Sequence, residues 1–151
     1  MFKWQLGNHR GASIVEFALV LPLVLGFLGA TIDFGLAFFA SHIAQNAARE
    51  GARLAVAIEG LPPGVVTNQR VEDRINSHLP KISLFQGFSP AVRVVELGPD
   101  ECEVEATVSG TSPYFFLPTV TAIIPDSVVS FESEVPIVRT VRMRYEYDCT
   151  P

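Results

Sequence analysis

The sequence is poor in charge, in cysteine and in histidine, and each shortage closes a class of function. Only 18% of the 151 residues are charged while 48% are hydrophobic, a greasy balance for a soluble domain. The net charge is −5. The basic residues are scattered, apart from Arg139, Arg142 and Arg144 near the C-terminus. Without a basic stripe interleaved with aromatics, no nucleic-acid partner is expected. The two cysteines, Cys102 and Cys149, lack C-x-x-C spacing, and His9, His42 and His78 stand far apart, so nothing resembles a zinc site. No Ser/His/Asp or Cys/His set comes together by spacing, and no glycine-rich phosphate loop is present. No catalytic residue, cofactor or enzyme activity is therefore expected. The acids of "DECEVE", Asp100 to Glu105, suggest calcium, but Glu103 and Glu105 fall on the outer face of a strand, where charges are solvated. No metal site is expected there.

Charge is absent altogether over the sixteen residues between Glu16 and Asp33. From Ile14 to Ala40 these two acids are the only ionisable residues. A bilayer crossing takes ~20 apolar residues. A cleaved secretory signal has an apolar region of only ~7–15 residues and a small-residue cleavage site. Here the run is longer and flows without a break into a helical pattern. A membrane-spanning helix over about 14–40 is expected. Lys3 and Arg10 precede the run and Asp33 is the first charge beyond it, which places the N-terminus in the cytoplasm and the rest outside.

The helix does not stop at the membrane. Good helix formers continue to "EGLPPG", Glu59 to Gly64, where proline and glycine end it. A helix over 12–58 would be ~70 Å long at 1.5 Å per residue. Ala40, Ala44, Ala48 and Ala52 recur every fourth residue, and Ala47, Gly51 and Ala55 make a second row. Such rows share a helix face and let another helix approach closely. Two uses are open: a stalk packed on its own domain, or a helix packing among copies or relatives of itself. Arg49, Glu50 and Arg53 read as a solvated face, with Glu50 and Arg53 paired at i, i+3.

Glu16 is the residue that needs a reason, because a carboxylate in hydrocarbon costs several kcal/mol unless it is paired or reaches the headgroups. It can snorkel to the interface. Alternatively, if the chain were cut between Gly11 and Ala12, Glu16 would be the fifth residue of the product. Its carboxylate would then sit where the new ammonium terminus of a staggered neighbouring chain could pair with it. Opposite charges at ~4 Å attract far more strongly at low dielectric than in water, so the pair would set the register of an apolar helix bundle.

Gly11 before "ASIVEF", behind the short basic leader "MFKWQLGNHRG", resembles the processing site of type IV prepilins and pseudopilins. A closer likeness covers the first third of the chain. "VEFALVLPL", "DFG" and "NAAREGARLAV" are similar to the TadE-like family, pseudopilins of the tight-adherence (Tad) pilus. The resemblance implies a minor pseudopilin resident in the bacterial inner membrane and needed to build or cap the pilus. It also implies cleavage by a prepilin peptidase, with Gly11 as leader end, Ala12 as mature N-terminus, Glu16 as fifth mature residue and Phe17 as the aromatic beside it. The partners it implies are other pilins and pseudopilins, the inner-membrane assembly platform and membrane lipid. The alternative is a single-pass anchored binding protein whose head meets a ligand outside the membrane and never polymerises.

The organisation expected is a leader over 1–11, the long helix over 12–58, a linker over 59–66 and an extracytoplasmic head over 67–151. "TNQRVEDRINSHL", Thr67 to Leu79, opens on an N-cap type residue and repeats Val71, Ile75 and Leu79 at four-residue spacing, so it reads as a short amphipathic helix. "AVRVVEL", Ala91 to Leu97, reads as a strand and "GPDE" as a turn. "CEVEATV" alternates, with Cys102, Val104, Ala106 and Val108 on one face and Glu103, Glu105 and Thr107 on the other. A last stretch keeps Val129, Phe131, Val135, Ile137, Val141, Met143 and Tyr145 in phase, with Pro136 marking a bend or an edge. The fold class is α+β: a long transmembrane helix continuing as a stalk, then a small head with one short helix and a three- to four-stranded antiparallel sheet. "YFFLPTVTAII", Tyr114 to Ile124, carries no charge and is too short to span; it is either a buried loop or a patch that meets the membrane or a partner. In a compartment that permits disulfides, Cys102 and Cys149 are either unpaired or bonded. A bond would close a loop of about fifty residues, worth on the order of 4 kcal/mol in the chain-entropy view.

Overall fold

The computed structural model describes residues 9–66, 68–79, 86–98, 101–121 and 132–147. Helix α1, His9–Val56, is unbroken over 48 residues. Pro22 lies inside it, a position tolerated in helices built for lipid. The helix ends two residues short of the expected Ile58, in a turn closed by Ala57 N–H to Leu54 O and Ile58 N–H to Ala55 O. Its N-terminal side begins before Gly11, so the Gly11–Ala12 bond lies within helix.

The head is an antiparallel meander in the order β1-β2-β3-β4. The strands are β1 (Gly64–Val65), β2 (Gln86–Gly98), β3 (Glu101–Pro113) and β4 (Glu134–Arg144). Strand β1 falls within the stretch expected as linker. Two residues carry no alternation, so nothing in the sequence marks them; pairing of Gly64 and Val65 with Val94 and Arg93 makes them a strand. Helix α2, Gln69–His78, is capped by Asn68, whose Oδ1 accepts the Arg70 N–H at 3.0 Å. The cap is thus Asn68, one residue after the expected start at Thr67, which lies outside the described residues. A second short helix, α3 (Leu117–Thr121), goes beyond the one short helix that the sequence predicts for the head, because Pro118 and the β-branched Thr119, Val120 and Thr121 are weak helix formers.

The alternation on β3 places Cys102, Val104, Ala106 and Val108 in the core, where they meet Val92 and Val94 of β2 and Ile137 of β4. Of the last expected strand, Val129 and Phe131 lie outside the described residues. Ile137 and Tyr145 are buried and Val135, Val141 and Met143 half-buried, so the phase holds. Pro136 sits on the edge strand, opposite Thr111. Tyr145 locks this end of the sheet to the end of α1: its hydroxyl donates to Ile58 O at 2.7 Å and accepts the Leu61 N–H at 3.1 Å.

Candidate functional site: the long apolar helix and its contact with the head

Helix α1 has two halves with different surroundings. From Gly11 to Leu28 every residue is exposed except the half-buried Gly26, although almost all are apolar. From Gly29 onward one face is covered by the head, through Gly29, Asp33, Ala40, Ala44, Ala47, Ala48, Gly51, Ala52 and Ala55. Steps of three and four residues keep these on one side of the helix. The helix is long and apolar enough to cross a membrane.

The bare half contains the processing candidates. Gly11 and Ala12 are exposed, and a methyl group on Gly11 would meet nothing within 4 Å. Packing therefore makes no demand for glycine there. Glu16 and Phe17 are exposed, and the Glu16 carboxylate forms no ion pair with a described residue.

The covered half contains the small-residue rows. Ala40, Ala44, Ala48 and Ala52 are completely buried, in one cluster with the core of the head. At Gly51 α2 packs tightly on α1: an added Cβ would overlap Ile75 Cγ1 and lie 2.5 Å from its Cδ1. The rows thus serve close packing against the chain's own sheet and α2. Glu50 makes the expected contact with Arg53, at 3.6 Å. It also pairs with Arg74 of α2 at 3.2 Å, and the Arg74 hydrogen bond holds its carboxyl below the ordinary range. Arg139 points the same way as Ile137 and Val141, and its Nε donates to Ser41 Oγ on α1 at 2.7 Å. Its in-phase position on β4 was the signal available for that contact.

Asp33 is the residue that sequence reasoning undervalued. The first charge beyond the apolar run, it is also completely buried. Its Oδ1 accepts the Phe115 N–H at 2.9 Å, and its Oδ2 accepts those of Phe116 at 2.8 Å and Leu117 at 2.7 Å. These donors precede and open α3, where a helix start leaves N–H groups without partners. One turn below, Gly29 admits Phe116: a Cβ there would stand 2.6 Å from Phe116 Cβ. Beside it, the Phe34 and Tyr114 rings meet edge to face at 6.2 Å. The charge-free segment from Tyr114 is thus neither core nor free: it is clasped to α1, with Leu117 buried but Phe115 and Phe116 each nearly half exposed. Its end, 122–124, lies outside the described residues.

On the open face of the sheet, Glu105 is covered rather than solvated, at 6% exposure. Its cross-strand neighbours are Arg93 and Arg142, and they hold its two oxygens at 2.6 and 2.8 Å. Burial pushes its carboxyl pKa up, but the two arginine hydrogen bonds outweigh that and hold it below the ordinary 4.5. Among the described residues no cluster of three or more His, Cys, Asp or Glu converges. Cys102 is disulfide-bonded; Cys149 lies outside the described residues.

Comparison with known families gives a match to the family described as TadE-like protein, over residues 11–53. The matched stretch is α1 almost entire, both the bare half and most of the half that carries the head. Neither the curated proteins nor the solved structures give a match.

Proposed function

We propose, from the likeness of residues 11–53 to TadE-like proteins, that this chain is a pilin-like subunit or assembly factor of a Tad-type pilus. It is not an enzyme. A prepilin peptidase removes the leader after Gly11, leaving Ala12 as the N-terminus. The helix resides in the bacterial inner membrane with the head outside, until the subunit enters or nucleates a filament with other pilins at the assembly platform.

The observation that carries this reading is the bare half of α1. Its apolar surface is not covered by any described residue, yet it holds an acid, Glu16, at the fifth position of the proposed mature chain. Lipid satisfies the apolar surface before assembly and neighbouring helices satisfy it afterwards. The carboxylate then pairs with the ammonium of an adjacent Ala12. Gly11, for which packing gives no reason, is accounted for by recognition at the scissile bond.

One observation favours the alternative, a single-pass anchored binding protein. The alanine rows are used up within the chain, so they leave no small-residue face for a second helix. Glu16→Gln separates the two. In cells that build the pilus, this variant should insert and lose its leader normally while filament assembly is impaired. Normal filaments with the glutamine variant would leave headgroup snorkelling as the whole role of Glu16.

A further inference from the structure

The bare half of α1, Gly11 to Leu28, is 18 residues, about 27 Å at 1.5 Å per residue. A hydrocarbon core is ~30 Å thick. The bare helix is therefore slightly too short to cross it alone: the missing ~3 Å, about two residues, falls at Gly29 and Ala30, at the foot of the level where Phe115 to Leu117 dock on Asp33. On its uncovered sides α1 remains apolar beyond that level, with Ile32, Phe34, Phe38 and Phe39 all exposed. Were Glu16 at the inner boundary, the outer boundary would lie higher still.

We propose that the segment from Tyr114 to Thr119 is immersed in the outer leaflet, so that the head is a wedge in the bilayer and not a domain held above it. The proposal rests on α1 spanning the membrane. Two independent features fit lipid as the occupant. Phe115 and Phe116 expose their rings beside the apolar span, where water would penalise them and acyl chains would not. In hydrocarbon, backbone N–H groups without partners are expensive. Those of Phe115, Phe116 and Leu117 are all taken by the Asp33 carboxylate, which itself would be costly at that depth unless so bonded. An acid buried under three amides makes this segment fit for a place without water. Tyr114, at its start, is the residue type that favours the interface.

The test is depth-dependent fluorescence quenching on the full chain in phosphatidylcholine vesicles. The native Trp4 is replaced by Phe, and single tryptophans are placed as Phe115→Trp, Leu23→Trp or Tyr147→Trp. Vesicles carry acyl chains brominated near either the carbonyl or the methyl end. The Leu23 variant should lose most emission to the deep bromines. The Phe115 variant should lose most to the shallow ones, resist aqueous iodide and emit to the blue of the Tyr147 variant. Quenching of the Phe115 variant by iodide, or by neither agent, while the Leu23 variant is quenched by lipid, would overturn the wedge and leave the spanning helix standing. Loss of lipid quenching at Leu23 as well would overturn both. Phe116→Trp gives the same readout should Phe115→Trp fail to fold.

Discussion

Asp33 Oδ2 accepts the backbone N–H of Phe116 at 2.8 Å across 83 residues of sequence. This contact clasps the segment that opens α3 to the long helix. Aspartate suits it because two oxygens on a short side chain can serve three donors that a short helix start leaves unpaired.

Asp33→Asn keeps the shape but removes the charge and one of the two acceptors. At least one of the three amides then faces a donor, at a cost of about 1–3 kcal/mol. The variant should unfold at lower temperature in detergent micelles, and the amides of Phe115 to Leu117 should exchange faster, while α2 stays protected. Unchanged exchange at these amides would mean that the clasp does not hold the segment.

At Gly51 the sign of a substitution should depend on Ile75. Alanine gains roughly 1 kcal/mol of helix propensity over glycine. Here its methyl group would overlap the completely buried Ile75, and overpacking costs about 1–3 kcal/mol. Gly51→Ala should therefore destabilise the otherwise unaltered protein. In an Ile75→Ala background, where the space is open, it should become neutral or stabilising. Denaturant titration of the four proteins gives the coupling; equal effects in both backgrounds would refute the close approach.

Glu105 should make stability fall in acid. Its folded pKa is depressed by the Arg93 and Arg142 hydrogen bonds against the opposing effect of burial. A depressed carboxylate contributes stability that is fully present above its unfolded pKa and is lost as pH falls through the folded value. Stability should therefore hold from neutrality to about the ordinary 4.5 and decline below it. Glu105→Gln should be less stable at neutral pH and should show a shallower acid decline, in melts recorded against pH. Identical slopes would assign the acid loss to other carboxylates. Because both arginines are mostly exposed, solvent screening keeps the neutral-pH loss modest.

Much of this architecture is legible in the sequence because it rests on periodicity. The charge-free run before Asp33 specifies the long helix, and the alternation from Cys102 to Val108 and the four-residue spacing of Val71 and Ile75 each specify an element and its buried face. The alanine rows announce a close approach but not its partner, since a small residue admits a sheet or α2 as readily as a foreign helix. The clasp left no pattern at all: its donors are backbone amides, which every non-proline residue carries, and its acceptor lies more than 80 residues away. Glu105 misled for a related reason. Alternation places it on the outer face correctly, but Arg93 and Arg142 cover it only once the register of three strands is set. Strand β1 is too short to show any period, and the sequence of α3 argues against the helix that Asp33 helps to hold.

Pilin-type processing is tested most directly by the intact mass and N-terminal sequence of the protein purified from its native membranes, in cells with an active prepilin peptidase. A mature chain beginning at Ala12 is expected, lighter by the eleven residues from Met1 to Gly11. A chain still beginning at Met1 would contradict it, leaving Glu16 an interfacial acid on an ordinary anchor and the non-polymerising binding protein as the better reading.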